Sequence, residues 1–514
     1  MLLSGVLPVL AFPAPNLEFI AWFALIPGLV MIIRALTLRE AWVRAWWFGA
    51  GYLIAALYWM APQIGPGVLL LGAVFGGLWV PWGVAAWKLL RPPVSWPRVL
   101  AALVVVPSCW LVCELVRSWQ ALGGPWDVYG ASQWQHPAVL ALGAVGGVWL
   151  ISFVLVAANV AIVLVIESAQ LRRAGLAAAG FAVLAMTAGA GPLAFATSAP
   201  FPAVRQVTVA MVQPGVINDP NLQAHASETL TATGLGGARP DLIVWGESSI
   251  AEDLSLPGSH ALLSQIEALS ARDGAEILVS QDANAPGKGH EKWGVLVSPA
   301  GIQGTYVKTR LVPFGEYIPF RQQLGWLTKI SKAASSNMIP GTGAHLLHAT
   351  DRVGDPLQIG VLICFESAFP DMSRVDADNG AQLIVYQSST PTFQGTWGPD
   401  QHASLAAMRA AETGRPVVQA ALTGDTVAFD AQGRQLAWMG QSGHGVVDVR
   451  LRLPAGSAET LYDQWGDYVL WTSLVVMLLA ALVMLVDSKG LIGRRGGAGD
   501  DHAAQYEAGQ SVPS

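Results

Sequence analysis

The chain has 514 residues, of which 53% are hydrophobic and 12% are charged, and this charged share is about half of that in an ordinary soluble domain. The net charge is −6 at pH 7, and the Lys and Arg residues form no dense basic run, so the sequence has no electrostatic footprint for nucleic acid. Long apolar stretches fill residues 1–200 and 466–487, whereas residues 204–460 have a mixed composition. These features predict a polytopic α-helical membrane protein with one large globular part.

The apolar stretches predict about eight transmembrane helices, because a span needs about 20 apolar residues. Seven belong to an N-terminal helical domain, 1–200, and the eighth, in 466–487, follows the globular domain, 204–460. The run at 2–14 could instead belong to a signal peptide, but no basic residues precede it, which favours an uncleaved helix. The tail, 488–514, is predicted to be a disordered cytoplasmic segment. The predicted spans lie near residues 2–14, 17–34, 45–62, 66–88, 99–118, 138–166, 174–196 and 468–486.

Basic residues occur in alternate connections between these spans. Short cytoplasmic loops carry an excess of Lys and Arg, so the pattern predicts that both termini are cytoplasmic. The globular domain is then extracytoplasmic. The basic clusters are Arg34, Arg39 and Arg44; Lys88, Arg91 and Arg98; Arg172 and Arg173; and Lys489, Arg494 and Arg495.

The globular domain alternates short β-rich runs with helical ones, which predicts an α/β layered fold. Helices are expected near 222–234, 259–272 and 401–413. Strands are expected at 207–213, 242–245, 276–280, 294–298, 359–364, 383–386 and 416–421.

One cysteine stands apart from the other two. Cys109 and Cys113 lie in the fifth apolar run, so Cys364 has no possible disulfide partner in the globular domain. A lone cysteine there is either a reactive thiol or a small buried core residue. Its neighbours decide between these interpretations.

Three reactive side chains follow or end predicted strands: Glu247 after "LIVWG", Lys308 in "GTYVKTR" and Cys364 in "IGVLIC". Functional groups gather at the carboxyl ends of strands in α/β folds, so these three side chains are expected to share one cleft. A carboxylate beside a cysteine accepts its proton and makes the thiolate nucleophile. Glu247 is the predicted base. Lys308 and the backbone amide of Phe365 would stabilise the oxyanion that forms on an attacked carbonyl.

These motifs resemble a known family. "WGES", "ICFES" and above all "KTRLVPFGEYIP", in which eight residues separate Lys308 from Glu316, are similar to the Glu-Lys-Cys signatures of the nitrilase superfamily. The resemblance is to its membrane-bound branch, the apolipoprotein N-acyltransferases, and it covers nearly the whole chain. It implies a four-layered αββα sandwich, with Glu247 as base, Lys308 as oxyanion stabiliser and Cys364 as nucleophile. Glu316 and Glu366 are implied as supporting carboxylates.

The resemblance also implies the partners and the location. A phospholipid would donate an acyl chain to the cysteine, and the α-amino group of a diacylglyceryl-apolipoprotein would accept it. The enzyme would be a monomer in the bacterial inner membrane and would use no cofactor and no metal; the nine histidines show no metal-ligand spacing. Two alternatives stay open: a membrane-anchored amidase or hydrolase, and a catalytically silent lipid-binding paralogue.

Some positions depart from the family pattern. Gly246 stands where a proline is usual, which is expected to loosen the backbone before Glu247. Residues 388–393, "SSTPTF", replace a Ser-Asn-Asp-Ala-Trp-Phe segment. Ser389 and Thr392 are therefore candidates for altered contacts with the substrate. Phe365 stands where a tyrosine is usual.

Three further residues are candidates for contact with substrate or lipid. Trp326 lies in the segment 309–345, which is expected to form a lid or to rest on the lipid interface; a surface helix is the alternative. Trp126, in "GGPWDVYG", is expected to anchor the interface or to line a lipid entrance. His402 either polarises a group in the cleft or makes a structural hydrogen bond.

Glu114 is expected to pair with Arg117, three residues further on.

Overall fold

A computed structural model describes residues 1–92, 94–171, 174–197, 200–285, 289–329 and 337–488. The predicted tail after residue 488 lies outside the described residues. The described chain has a helical N-terminal part, a part built on two β-sheets and a last long helix. Its α-helices are α1 (Leu2–Val6), α2 (Ile26–Ile33), α3 (Leu38–Ala56), α4 (Ala61–Ile64), α5 (Gly67–Phe75), α6 (Val80–Leu90), α7 (Trp96–Arg117), α8 (Pro137–Leu140), α9 (Gly143–Leu171), α10 (Ala174–Thr197), α11 (Gln223–Gly234), α12 (His260–Asp273), α13 (Arg321–Leu324), α14 (Pro370–Asp378), α15 (Gly398–Thr413), α16 (Leu461–Trp465) and α17 (Tyr468–Ser488).

Within the described ranges, five helices are long and apolar enough to cross a membrane. Three of the predicted spans differ from these five. Residues 2–14 form α1 and the 3₁₀ turn Leu7–Ala11, and residues 17–34 form the 3₁₀ turn Glu18–Trp22 and α2. Pro8 and Pro13 in the first stretch and Pro27 in the second prevent one continuous helix in either. Helix α3 is long, but its first turns carry charge, so the number eight stays a prediction. The five long apolar helices are Gly67–Leu90, Trp96–Arg117, Gly143–Ala169, Ala174–Thr197 and Tyr468–Val486.

The second part contains twelve strands in two six-stranded sheets. The order in the first sheet is β12-β1-β2-β3-β4-β5, and the order in the second is β11-β10-β9-β8-β7-β6. Strands β1, β2 and β3 are parallel neighbours, as are β7, β8 and β9. The strands are β1 (Ala203–Gln213), β2 (Leu242–Trp245), β3 (Glu276–Ala285), β4 (Gly289–Ser298), β5 (Gly301–Val307), β6 (Leu346–Thr350), β7 (Pro356–Ile363), β8 (Leu383–Ser388), β9 (Val417–Ala421), β10 (Thr426–Phe429), β11 (Gln435–Met439) and β12 (Gly445–Pro454).

Alternating side chains divide the first sheet into two apolar faces. Val209, Met211 and Val244 join a core shared with the second sheet. Ala210 and Trp245 join a separate core beneath α11 and α12. Helices α14 and α15 cover the other face of the second sheet. The layers therefore run helix, sheet, sheet, helix, and β2 and β7 both end in the centre of the stack.

Helix α15 lies between the second sheet and the helical part. All its residues except Asp400 are buried. Near its C-terminus, Glu412 accepts a hydrogen bond of 2.7 Å from the backbone N–H of Val148. Gly146 and Gly147 break the helical geometry of α9 just before Val148, so Glu412 satisfies an N–H group at this kink. The buried carboxylate thereby fastens α15 to a long apolar helix.

Candidate active site

The three predicted residues follow the ends of β2, β5 and β7. Glu247 comes two residues after β2, and its N–H donates a 3.1 Å hydrogen bond to the carbonyl of Ser388. A Cβ atom on Gly246 would lie 1.9 Å from the backbone nitrogen of Leu422. The expectation of a loosened backbone is therefore wrong: glycine lets β2 and the end of β9 approach closely, and this packing fixes the residue before Glu247.

Lys308 joins two carboxylates. Its Nζ atom lies 3.1 Å from Glu247 Oε1 and 2.7 Å from Glu316 Oε1, and the side chain is fully buried. Burial alone would lower the pKa of Lys308, but Glu247 and Glu316 outweigh it and raise that pKa well above its usual value. The ammonium charge is thus permanent. Glu316 Oε2 also accepts the N–H of Val312 at 2.8 Å, which ties the segment after Lys308 back on itself.

Cys364 lies in the turn directly after β7. Its φ of +52° is in the left-handed region, and such a backbone costs a non-glycine residue of order 1–3 kcal/mol. The negative charge of the Glu247 carboxylate acts on this thiol. Burial, together with the charge of Glu247, raises the pKa of Cys364 to about 12, against the opposing effect of Lys308. The resting side chain is therefore a neutral thiol that faces its base.

The charge on that base is maintained by two lysines. Burial favours the neutral acid, but Lys308 and Lys292 lower the pKa of Glu247. Lys292 Nζ lies 3.8 Å from Glu247 Oε1 and 2.8 Å from Asp282 Oδ1, and it also binds Ser248 Oγ. Sequence reasoning missed Lys292. Lys292 lies directly opposite Asp282 in the β3–β4 ladder, a pairing that no local sequence signal indicates.

Glu366 clamps the cysteine turn to the lysine segment. Its Oε2 atom accepts the N–H of Ile363 at 2.7 Å. Its Oε1 atom accepts the N–H groups of Thr309 and Arg310, at 2.6 and 2.9 Å, and the hydroxyl of Tyr306 at 2.8 Å. Ile363 directly precedes Cys364, and Thr309 directly follows Lys308. These four bonds therefore hold Cys364 and Lys308 in a fixed position relative to each other.

His402 lies behind the nucleophile. Its Nε2 atom is 3.0 Å from the carbonyl oxygen of Cys364, and a carbonyl only accepts, so Nε2 carries the hydrogen. Nδ1 lies 3.4 Å from Ser388 Oγ, which donates to it. Burial lowers the pKa of His402, and the ring is neutral. His402 was expected either to polarise a group in the cleft or to make a structural hydrogen bond. The structure shows a hydrogen bond from His402 to the backbone of Cys364.

Two predicted aromatic residues lie next to this group. Trp126 stacks on His402 with ring centroids 5.9 Å apart and planes 14° apart. Phe365 packs edge-on against Phe369 at 5.1 Å, and a Cβ atom on Gly124 would lie 2.8 Å from its ring. The loop that contains Trp126 belongs to the helical part, so that part contacts the residues on both sides of the nucleophile turn.

The other candidates lie apart from the three central residues. Ser389 Oγ is 3.4 Å from Thr423 Oγ1, whereas Thr392 is exposed at the surface. Trp326 is more than half exposed in a 3₁₀ turn that follows α13, and residues 330–336 of its segment lie outside the described residues. Glu114 accepts hydrogen bonds from Trp110 Nε1 at 2.9 Å and from the N–H of Tyr129 at 2.7 Å, rather than the expected bond from Arg117.

Two family models match the chain. The apolipoprotein N-acyltransferase N-terminal domain matches residues 4–161, and the carbon-nitrogen hydrolase model matches residues 208–457. The apolipoprotein N-acyltransferase of Sinorhizobium medicae is 30% identical over 93% of this chain and 94% of that protein. The chain belongs to the apolipoprotein N-acyltransferase family. The enzyme of that name from Chlorobaculum tepidum is 26% identical over 94% of this chain and 96% of that protein.

Solved structures similar to this member of the family come from the nitrilase superfamily. Nit3 of Saccharomyces cerevisiae is 16% identical, covers 50% of this chain and 92% of its own, and has a TM-score of 0.38. A carbon-nitrogen hydrolase from Helicobacter pylori is 14% identical, covers 56% of this chain and 99% of its own, and has a TM-score of 0.38. The family that the motifs resemble is confirmed by the N-terminal domain match and the full-length relatives, and the implied carbon-nitrogen hydrolase fold by the match of residues 208–457 and the two sheets.

Proposed function

We propose that this chain transfers a fatty acyl chain from a phospholipid, through a thioester on Cys364, to the α-amino group of the diacylglyceryl-cysteine of an apolipoprotein. The observation that carries the proposal is the buried ion pair of 3.1 Å between Glu247 and Lys308, together with Cys364, a thiol on which the Glu247 charge acts. The names of the full-length relatives support lipoprotein N-acylation. The five long apolar helices suit two substrates that both carry lipid tails.

In the first half-reaction, Glu247 takes the thiol proton as sulfur attacks the ester carbonyl of the donor. The carbonyl oxygen becomes an oxyanion beside the Lys308 ammonium and the amide of Phe365. Collapse of this intermediate forms the thioester and breaks the C–O bond. Glu247 then returns its proton to the departing alkoxide, which leaves as a lysophospholipid.

In the second half-reaction, Glu247 takes a proton from the attacking amine. Nitrogen adds to the thioester carbonyl, Lys308 again faces the oxyanion, and the C–S bond breaks to leave an amide. The sulfur recovers its proton from Glu247. The base therefore starts each half-reaction as a carboxylate, which the two lysines favour by lowering its pKa.

The test has two readouts. The purified protein is incubated with phospholipid, and Cys364 is examined by mass spectrometry for a hydroxylamine-labile acyl adduct. A deletion strain is complemented with wild type, Cys364→Ala and, as the matched control, Cys109→Ala, which removes a buried thiol in α7. We expect the adduct on wild type and restored lipoprotein N-acylation with wild type and the control only.

Other outcomes would redirect the proposal. Restoration by Cys364→Ala would end the assignment of the nucleophile. Rapid loss of the adduct to water, unchanged by an amine acceptor, would favour a membrane-anchored hydrolase. No adduct with several donor lipids, on folded protein, would favour the silent paralogue.

A further inference from the structure

The loop between α7 and α8 reaches from the helical part to the nucleophile. Trp126 and Asp127 in this loop are buried, and Asp127 has a φ of +51°. Its carbonyl oxygen accepts a 2.7 Å hydrogen bond from the hydroxyl of Tyr52, on helix α3. The loop is therefore fixed to the helix bundle on one side and packed on the second part of the chain on the other.

The contacts of Trp126 define an ordered chain. The indole N–H donates to Gln401 Oε1 at 3.2 Å, which also fixes the orientation of that amide. The indole ring stacks on His402, and His402 donates to the carbonyl of Cys364. Gln401 and His402 are adjacent in α15, so one ring restrains both of them. No other element supplies an aromatic stack to His402 in the described residues.

A small cavity adjoins these residues, and its mostly apolar lining includes the polar side chains of Asp127 and Gln401. It is lined by Phe12, Trp126, Asp127, Ala131, Gln401, Ser404 and Leu405, and its volume is about 10 Å³. Asp127 Oδ2 and Gln401 Nε2 are buried and have no hydrogen-bond partner among the described residues. A cavity of this size with two such groups fits one water molecule. A bound water would join the loop to α15.

We propose that Trp126, Gln401 and one buried water held between Asp127 and Gln401 form a positioning unit that acts on Cys364 through His402. The unit fixes the ring of His402, and His402 fixes the carbonyl of a nucleophile whose backbone is in the left-handed region. The helical part thereby contributes to the active site as well as to membrane attachment. The proposal rests on Cys364 being the nucleophile.

The experiment compares two buried tryptophans at the interface. Trp126→Phe keeps an aromatic ring on His402 but loses the N–H bond to Gln401. The matched control is Trp134→Phe: Trp134 is 4% exposed against 8% for Trp126, and its indole N–H donates to Asn16 Oδ1 at 2.9 Å. Trp134 packs on Phe429 and Trp438 and not on His402. A further variant is Gln401→Leu, which removes the acceptor for Trp126 and the donor that faces the cavity.

Acyl transfer is measured as kcat and KM, and the Cys364 thiol is measured separately by its rate of alkylation with iodoacetamide between pH 7 and 10. We expect Trp126→Phe and Gln401→Leu to lower kcat about tenfold with little change in KM, and to shift the pH dependence of alkylation. Trp134→Phe should stay within about twofold of wild type.

Two results would overturn the inference. Equal loss in Trp126→Phe and Trp134→Phe, with an unchanged alkylation profile, would mean that these tryptophans only stabilise the interface. An effect confined to KM would mean that Trp126 contacts the substrate instead. Failure of the proposed function is recognised separately, because Cys364→Ala would then retain acyl transfer while the alkylation profiles of the other variants are still measurable.

Discussion

Replacing Glu247 with Gln separates the two effects of this residue on Cys364. The carboxylate is the proposed base for acyl transfer, and in the resting site its negative charge also raises the pKa of the thiol. The amide keeps the size of the side chain and removes both the base and the charge. We therefore expect acyl transfer to fall by about 10²–10⁴-fold, while alkylation of Cys364 becomes faster.

The size of the increase can be estimated from the repulsion between two neighbouring negative charges. Two unit charges about 4 Å apart at an effective dielectric constant of about 20 interact with about 4 kcal/mol. Glu247 shares its charge with Lys308, at 3.1 Å, and Lys292, at 3.8 Å, so we take half of that energy. About 2 kcal/mol raises the thiolate fraction about thirtyfold. A less basic thiolate is also less nucleophilic, with a Brønsted coefficient of about 0.4–0.5, and the net gain is about five- to eightfold.

The assay is the rate of iodoacetamide labelling of the Cys364 peptide at pH 8, followed by mass spectrometry on protein in detergent. Glu267→Gln is the control, since it removes a carboxylate from α12, on the outer face of the first sheet. Cys364→Ala gives the background. Slower labelling of Glu247→Gln than of wild type, on folded protein, would refute the reasoning, because it would mean that Glu247 promotes the thiolate in the resting enzyme.

Three further predictions concern the surroundings of the base. Gly246→Ala should lose at least about tenfold in acyl transfer, because the added methyl group meets backbone 1.9 Å away; activity within twofold of wild type would contradict the close packing. Lys292→Met should move the acidic limb of the pH–rate profile to higher pH, because Lys292 lowers the pKa of Glu247 and the base must be unprotonated to act. An unchanged acidic limb would mean that Lys292 does not affect the base. Glu366→Gln should lower kcat about 10–100-fold. Tyr306→Phe removes only one of the four donors to Glu366 and should lower kcat less. Steady-state kinetics of both variants test this order, and a larger loss of kcat in Tyr306→Phe would contradict the role of Glu366 as a clamp.

Local sequence patterns were sufficient to predict the positions of the reactive residues that follow strand ends. Glu247, Lys308 and Cys364 each come just after a hydrophobic run, and the eight-residue step from Lys308 to Glu316 corresponds to a direct contact of 2.7 Å. All seven predicted strands are present. The pattern missed β5, β6 and β10 to β12, because most of these strands are short or alternate exposed polar residues with buried ones, as β12 does.

Contacts between distant segments could not be predicted in this way. Trp126 and His402 are 276 positions apart, and no local pattern indicates that their rings stack. Lys292 approaches Glu247 only because the β3–β4 register sets it opposite Asp282, and composition does not determine that register. The predicted spans at 2–14 and 17–34 had the right hydropathy, but Pro8 and Pro13 interrupt the first and Pro27 interrupts the second.

The bond between Val148 and Glu412 has a consequence for how the protein is made. The ribosome synthesises α9 long before it reaches Glu412, 264 residues later. Until then, the N–H of Val148 lacks this acceptor, and an unpaired backbone donor in apolar surroundings is costly. Helix α9 therefore completes its structure only after α15 has folded against it. A chain that ends before residue 412 never gains this bond between the two parts.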